Sequence, residues 1–467
     1  MVKFLPRKPF SCRDCISQFL FILYNNPRGG LALILAHRYH YPASFHQHSL
    51  ETLETALRTA PAYHGWNALD PGREANIDER YDAMPELTKQ LIRDHFPTGL
   101  APNNQNIEQG LLSEEIEYTY TSGTTGERVV NIWSQAWWDA AEASSWKLNA
   151  HTAGLSYPQK EAKLASSLNV GISCEEDLPM TYRTVGHKLY LNEKINLIQW
   201  QPRHFARMAQ ELKTFQPVVL EANPSLLARL AYWAMDEGVE MYSPQVIVFT
   251  YEFESAIHLA AIRRVFSSPL ISSFGTTETG FVLEACEDGL LHQNLDFCRI
   301  DFHPLKDEYG GPDLGRMLVT TFGNPWNTVI RFDTGDLLRL HPSGACSCGR
   351  KEGLIAEAIE GRVTNCTFTT KGRLVTTMAL DQVMAAIPGV RDYHLEQDGP
   401  KQYMLQLMVG EEGKRSAQAE ARYAMATLYG NDGAYDIRIV HNILPGQAGK
   451  FRRTQANFDF DVRGLFV

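Results

Sequence analysis

The sequence predicts an α/β protein with a large multi-sheet N-terminal domain, residues 1–362, and a small mobile α+β C-terminal domain, residues 363–467. Three observations carry that expectation. With 467 residues and 44% hydrophobic content, the chain can bury a substantial core and should divide into at least two domains. Between Pro217 and Ser273, short apolar runs alternate with stretches of helical spacing, as in a largely parallel sheet. After Gly361-Arg362-Val363-Thr364 the character changes to short strands and helices, the mixture of a compact α+β unit.

Taken in order, residues 1 to about 50 are rich in aromatic residues and histidine. Lys3, Arg7 and Lys8 precede an apolar stretch in the manner of a signal peptide. Cys12-Arg13-Asp14-Cys15 interrupts that stretch, and no small-residue cleavage site follows. The best apolar run, Phe19–Tyr24, is too short to cross a membrane, so a cytoplasmic chain with no membrane partner is expected. Eight cysteines suit reduced thiols; Cys12-x2-Cys15 reads as half a metal site or as two buried thiols. A formal charge of −10 with no long Lys/Arg block gives no face for nucleic acid.

Leu50, Leu53 and Leu57 predict a helix over 49–59, and Pro85–Lys89 opens a second one carrying Leu91 and Ile92. After the polar loop 102–105, a strand over 116–120 runs into Thr121-Ser122-Gly123-Thr124-Thr125-Gly126-Glu127-Arg128. Two glycines let backbone N–H groups turn inward and four hydroxyls add donors, which makes an anion cradle suited to phosphate. The Walker A spacing is absent. A surface Ser/Thr/Gly linker has the same composition. A Trp-rich helix over 134–148 follows, with Ser134 placed as N-cap.

Strands are then expected at 217–222, 246–250 and 269–273, and helices at 224–235 and 255–265. The third strand leads into a loop, Phe274-Gly275-Thr276-Thr277-Glu278. At the carboxyl end of a strand it suits a nucleotide-plus-metal site, with Glu278 on Mg²⁺ and Phe274 against a nucleobase; a turn capped by Glu278 is the plainer alternative. Val329–Asp333 is expected to be a strand that ends in a tight glycine turn presenting Asp336, which is able to accept two bonds from ribose hydroxyls or to sit solvated. In the C-terminal domain, strands are expected at 403–409 and 435–440, and helices at 380–386 and 417–429. Lys450 stands on a glycine-rich loop from which a mobile domain can deliver it, although most lysines are simply solvated.

In this order and at this separation, these segments resemble the adenylate-forming superfamily, which includes acyl- and aryl-CoA synthetases, firefly luciferase and adenylation domains of nonribosomal peptide synthetases. The matching residues are Thr121–Gly126, Phe274–Glu278, Thr334-Gly335-Asp336, Gly361-Arg362 and Gly449-Lys450. Within it, Ala60–Tyr63, Met84–Lys89 and Cys346-Ser347-Cys348-Gly349-Arg350 resemble the phenylacetate–CoA ligase branch. The resemblance implies an enzyme that activates a small carboxylic acid with ATP and Mg²⁺ to an acyl-adenylate, releases pyrophosphate, and passes the acyl group to CoA or to the phosphopantetheine of an acyl or peptidyl carrier protein. It implies that residues 121–126 hold phosphates, that Thr277 and Glu278 lie at the α-phosphate and Mg²⁺, and that Asp336 holds the ribose with Arg362. Lys450 would bridge carboxylate and α-phosphate.

The chain departs from the family pattern at several points. Glu127-Arg128 follows the loop where Pro or Lys is usual, which puts Arg128 in the cationic role. Phe332-Asp333 replaces Tyr-Arg, Thr364-Asn365 replaces the hinge Asp, and Tyr251-Glu252 stands where Gly-Glu is usual. Cys286, His292, Cys346 and Cys348 offer a tetrahedral Zn²⁺ set, with Cys298 as a competitor; four unrelated buried residues give the same spacing. The acyl pocket is expected between the Trp-rich helix and Phe274, where Asn169–Cys174 and Met180–Arg183 do not match the branch, and where Glu175, Glu176 and Asp177 face either an ammonium or solvent. Two other readings remain open: an adenylate-forming amide or ester ligase without CoA, and a non-catalytic nucleotide-binding scaffold.

Overall fold

A twelve-stranded sheet organises most of the chain, and its two halves differ in kind. The computed structural model describes residues 38–121, 129–155, 158–165, 177–192, 200–446 and 449–467. A separate antiparallel pair, β1 (Glu117–Tyr120) and β2 (Val130–Trp133), lies on either side of the segment 121–129. The parallel half comprises β3 (Glu161–Leu164), β5 (Lys188–Tyr190), β6 (Val219–Ala222), β7 (Val246–Phe249) and β8 (Leu270–Thr276). They lie in the order β8-β7-β6-β3-β5, with β4 (Thr184–Val185) antiparallel at the edge. Both faces are covered, so β6 and β7 are buried at every position, and Val246–Phe249 is an unbroken apolar run.

The second half is antiparallel throughout. It comprises β9 (Gly280–Ala285), β10 (Leu291–Gln293), β11 (Cys298–Pro304), β12 (Leu314–Thr321), β13 (Phe332–Leu340) and β14 (Ile355–Arg362), in the order β9-β10-β14-β13-β12-β11. Strand β8 joins the halves, parallel to β7 on one side and antiparallel to β9 on the other. Past the short hairpin β15 (Thr367–Phe368) and β16 (Leu374–Val375), four strands make a sheet of their own. These are β17 (Val390–Gly399), β18 (Gln402–Val409), β19 (Ala434–Val440) and β20 (Thr454–Ala456), ordered β19-β18-β17-β20. Tyr393, Leu395, Leu405, Leu407 and Met425 fill its core.

The helices that pack around these sheets include α1 (Ala43–Thr59), α2 (Lys89–His95), α3 (Gln135–Trp146), α4 (Pro202–Phe215), α5 (Pro224–Glu237), α6 (Ala256–Val265), α7 (Thr377–Ala385) and α8 (Ala417–Tyr429). Local chemistry sets several of their ends. Asn223 caps α5 by accepting from the Leu226 N–H, Pro224 occupies its first turn, and Gly238 ends it at φ +67°. Between those ends, Leu226, Leu227, Leu230, Ala231 and Ala234 enter the core over β6 and β7. Among the described residues no helix is long and apolar enough to cross a membrane.

Some boundaries differ from those the sequence predicts. Helix α1 begins at Ala43, before the leucine spacing starts, because Phe45 already packs inward. Pro85–Leu87 is extended rather than helical: Leu87 bridges Phe332, and α2 starts only after Thr88, whose hydroxyl caps it. Ser134 stands at the N-cap of α3 but makes no capping bond.

Helix α6 is capped from another part of the chain. Ser255 makes no cap with its own side chain; instead the buried Asp381 on α7 accepts from Ser255 Oγ at 2.6 Å and from the Ala256 N–H at 2.7 Å. Asp381→Ala strands both donors in the interior, and chemical denaturation should report a loss of about 1–3 kcal/mol.

Candidate active site

The carboxyl ends of β6, β7 and β8 open into a cleft of about 1460 Å³, closed on its other side by segments from the four-stranded sheet and the chain around Lys450. Of the site residues read from the sequence, Thr121, Phe274, Gly275, Thr276, Thr277, Glu278, Asp336, Arg362 and Lys450 all line it. Ser122, Gly123, Thr124, Thr125, Gly126 and Arg128 lie outside the described residues. Thr121 closes the base of that loop: its N–H donates to the Val129 carbonyl at 2.9 Å, and its hydroxyl accepts from the Val129 N–H at 3.0 Å.

Phe274-Gly275-Thr276 is not a loop. Strand β8 continues through all three residues, with a register shift at Phe274/Gly275. A Cβ on Gly275 would lie 2.2 Å from the Gly280 carbonyl oxygen, so the close approach of β8 and β9 demands glycine there. The turn itself is Thr277–Thr279, tied by the Thr279 N–H to the Thr276 carbonyl at 3.1 Å and by the Thr276 and Thr279 hydroxyls at 3.0 Å. It carries Glu278 into the cleft, 5% exposed, with Oε1 lacking a hydrogen-bond partner among the described residues.

Asp336 also differs in setting. Instead of a strand ending in a turn, β13 begins at Phe332 and runs on to Leu340. Gly335, at φ +74°, makes a kink within it, and the Asp333 carboxylate and Thr334 hydroxyl accept from the Gly335 and Asp336 N–H groups. Asp336 pairs across to Arg362 on β14, with Nε 3.5 Å from Oδ1, while the buried Oδ2 has no partner among the described residues. Burial raises this carboxyl, and Arg362 and Lys450 pull it back. Asp333 is absorbed locally by an ion pair with Arg316 at 2.7 Å.

Lys450 is half-buried where four of these charges meet. Burial lowers its pKa and Arg362 lowers it further, against Glu252, Asp336 and Glu278. Its position depends on residues that the sequence alone does not mark. The Phe451 N–H donates to Glu252 Oε2 at 3.0 Å, Ser225 Oγ donates to Glu252 Oε1, and Arg453 Nη2 donates to Ser225 Oγ at 2.6 Å. Arg453 is itself paired with the buried Asp392 of β17. The only hint of this in the sequence is the change at Tyr251-Glu252. Tyr251 has φ +81°, a conformation natural to glycine and strained for tyrosine. Its buried hydroxyl donates to Glu221, which fastens the strained turn.

The expected metal ligands converge. One donor atom each from Cys286, His292, Cys346 and Cys348 lies within 4.8 Å of every other. Cys286 Sγ is 3.6 Å from Cys346 Sγ, and Cys348 Sγ is 3.5 Å from His292 Nε2. Tetrahedral zinc with ordinary zinc–sulfur bonds has edges of about 3.8 Å. Cys298 is apart from this group, its thiol against the Val282 and Asn294 carbonyls. Asp177 meets neither solvent nor the cleft, because Arg207 binds its buried carboxylate; Glu175, Glu176 and 169–174 lie outside the described residues. Arg183 is a buried tie to Glu211 and to the Leu178 and Tyr190 carbonyls.

No family model and no curated protein matches the sequence. The fold is shared with a solved CoA ligase. Among solved structures, 2-hydroxyisobutyryl-CoA ligase in the postadenylation state with 2-HIB-AMP is similar over 90% of this chain and 91% of that one, at 16% identity and a TM-score of 0.67. The same enzyme in an open conformation with 2-HIB-AMP and CoA aligns over 90% and 93%, at 16% identity and a TM-score of 0.54. In its thioesterification state it aligns over 90% and 91%, at 17% identity and 0.52.

Proposed function

We propose that this chain is an AMP-forming acid–thiol ligase of the phenylacetate–CoA ligase-like branch. It activates a carboxylic acid with ATP to an acyl-adenylate, releases pyrophosphate, and transfers the acyl group to CoA or a carrier-protein phosphopantetheine. One observation carries the reading: Lys450, Asp336 and Glu278 converge on one cleft, and two of the buried carboxylate oxygens there lack partners among the described residues. Buried acceptors are costly to leave unmade, so an unpaired pair in a cleft fits ligands that complete it.

The unpaired Glu278 Oε1 fits a hard cation, so Glu278 would hold Mg²⁺, which supplies charge neutralisation to the phosphates when bound. Asp336 Oδ2 fits a ribose hydroxyl, with Arg362 fixing the carboxylate, and Phe274 fits the base. Residues 121–126 and Arg128 would take the β- and γ-phosphates. Lys450, drawn from both sides by Glu278 and Asp336, meets the attacking carboxylate and the α-phosphate, where negative charge gathers as the bond to the leaving pyrophosphate breaks. Residues 1–362 and 363–467 would be the two units of the cycle, moving about 361–365 between half-reactions. Similarity to one ligase is greater in its postadenylation than in its thioesterification state, which supports assigning this arrangement to the first half-reaction.

Acid-dependent ATP–pyrophosphate exchange tests the reading. The wild-type chain should exchange with one class of acid, and Lys450→Ala should lose roughly a hundredfold or more in rate; tight ATP binding with no exchange for any acid would make the chain a nucleotide-binding scaffold. Ser225→Ala should slow exchange several-fold by loosening the Lys450 segment. Thioester formation begun from synthetic acyl-adenylate should keep its rate, because the segment has then swung away.

We assign structural zinc to Cys286, His292, Cys346 and Cys348, where four protein ligands leave no open position. Burial lowers the His292 pKa to about 4, which keeps the ring neutral and able to ligate. Elemental analysis of the purified chain should find about one zinc per molecule, lost together with thermal stability in Cys348→Ser.

A further inference from the structure

Beyond the residues that face the nucleotide, the cleft continues onto a charged floor. Glu161 and Lys163 on β3, Lys188 on β5 and Glu221 on β6 put their side chains on one face of the sheet, since alternate residues share a face and the registers match Glu161 with Lys188 and Lys163 with Glu221. Both lysines are spoken for. Lys163 Nζ lies 2.6 Å from Glu221 Oε2, and Lys188 Nζ lies 3.4 Å from Glu161 Oε2. Glu221 also accepts from Thr250 Oγ1 at 3.2 Å and from the Tyr251 hydroxyl.

Helix α3 brings a third carboxylate to the same cluster. Trp138 and Glu142, four residues apart and so on one side of the helix, both line the cleft. Among the described residues the Glu142 carboxylate has no hydrogen bond or ion pair. Burial and then Glu221 raise its pKa to about 7. Among the described residues, Glu142, Glu161 and Glu221 outnumber Lys163 and Lys188 by one, which leaves one carboxyl group without an ammonium partner. Beside it, the Trp138 ring is fixed by packing on Trp133 at 4.1 Å and Phe281 at 4.9 Å between centroids.

A plain aliphatic or aryl group laid on this floor would strip water from an unpaired carboxylate and return nothing. A cation would neutralise it and gain the face of an aromatic ring. We propose that this floor is the acyl pocket and that the acid it accepts carries a protonated amine, seated between Glu142 and the Trp138 ring. The inference rests on the adenylation reading above.

The test is pyrophosphate exchange by the full-length chain with pairs of acids that differ only in bearing an amine, a hydroxyl or a methyl group. The amine-bearing member should lead by roughly a hundredfold or more in kcat/KM, and Glu142→Gln should erase most of that lead through KM, with ATP binding retained as proof of folding. Equal or better exchange with the hydroxyl or methyl member overturns the inference alone, as does a Glu142→Gln variant that keeps the preference. Absence of exchange with every acid overturns the adenylation reading and this inference with it.

Discussion

A buried Arg453–Asp392 pair underlies the architecture of the site. Both side chains are 2% exposed. Burial alone would raise the Asp392 carboxyl; Arg453, followed by His258 and Arg229, holds it well below the ordinary carboxylate range instead. A charge so deeply buried tolerates little displacement, because losing its partner costs about 3–5 kcal/mol. Arg453 is therefore a fixed point, and it lies three residues from Lys450. From it, the Ser225 hydroxyl and the Glu252 carboxylate reach back to the Phe451 N–H, so the strand-like segment that presents Lys450 is registered on the N-termini of α5 and α6.

The cleft shows the complementary condition. Glu278 and Asp336 each keep a buried oxygen without a hydrogen-bond partner among the described residues. Both are held there by backbone devices, one a three-residue turn between strands packed too closely for any side chain at 275, the other a kink at Gly335 inside a continuous strand. Tyr251 extends the pattern. Its backbone takes a conformation that suits glycine, and the strain, of order 1–3 kcal/mol, is offset in part by bonding its hydroxyl to Glu221. Tyr251 thus ties Glu221 on β6 to the segment that carries Glu252.

Much of this was legible in the sequence, for reasons specific to each element. Val246–Phe249 and Pro224–Glu237 announce themselves through apolar runs, a proline at a first turn and a closing glycine. The convergence of Cys286, His292, Cys346 and Cys348 was legible because few residue types gather as soft donors at such spacing. Phe274–Thr276 and Thr334–Asp336 look like loops from their Gly, Thr and Asp content; tertiary pairing with β9, β12 and β14 overrides that preference and makes them strands. The Glu252–Ser225–Arg453–Asp392 chain was marked in the sequence by nothing more than the change at Tyr251-Glu252. Its members are far apart in sequence, each is an ordinary residue type, and only the docking of one sheet on another brings them together. The same holds for Glu142, which in the sequence is one more acid on an amphipathic helix.

That docking also bears on how the proposed cycle can turn over. Arg453 and Asp392 both belong to the segment after 362, so a rotation of that segment carries the buried ion pair along intact. What breaks includes the Arg453 contact with Ser225, that with His258 at 3.3 Å, the Phe451 N–H bond to Glu252, the Asp381 cap on α6, and the Arg229 bonds to Asn442 and the Ile443 carbonyl. Each is a hydrogen bond worth about 0.5–3 kcal/mol net. At the rim, Arg391 donates two hydrogen bonds to Asp236, which is half exposed, so this pair rehydrates readily. Glu252 keeps the Ser225 hydroxyl after Phe451 leaves, since both lie on the larger unit. The interface is thus strong enough to register Lys450 for the first half-reaction. On departure Asp392 keeps Arg453, while Arg229, which bonds Asn442 and the Ile443 carbonyl and lies 3.7 Å from Asp392, passes to water, so the domain that docks accurately leaves this charge at a site that opens to solvent.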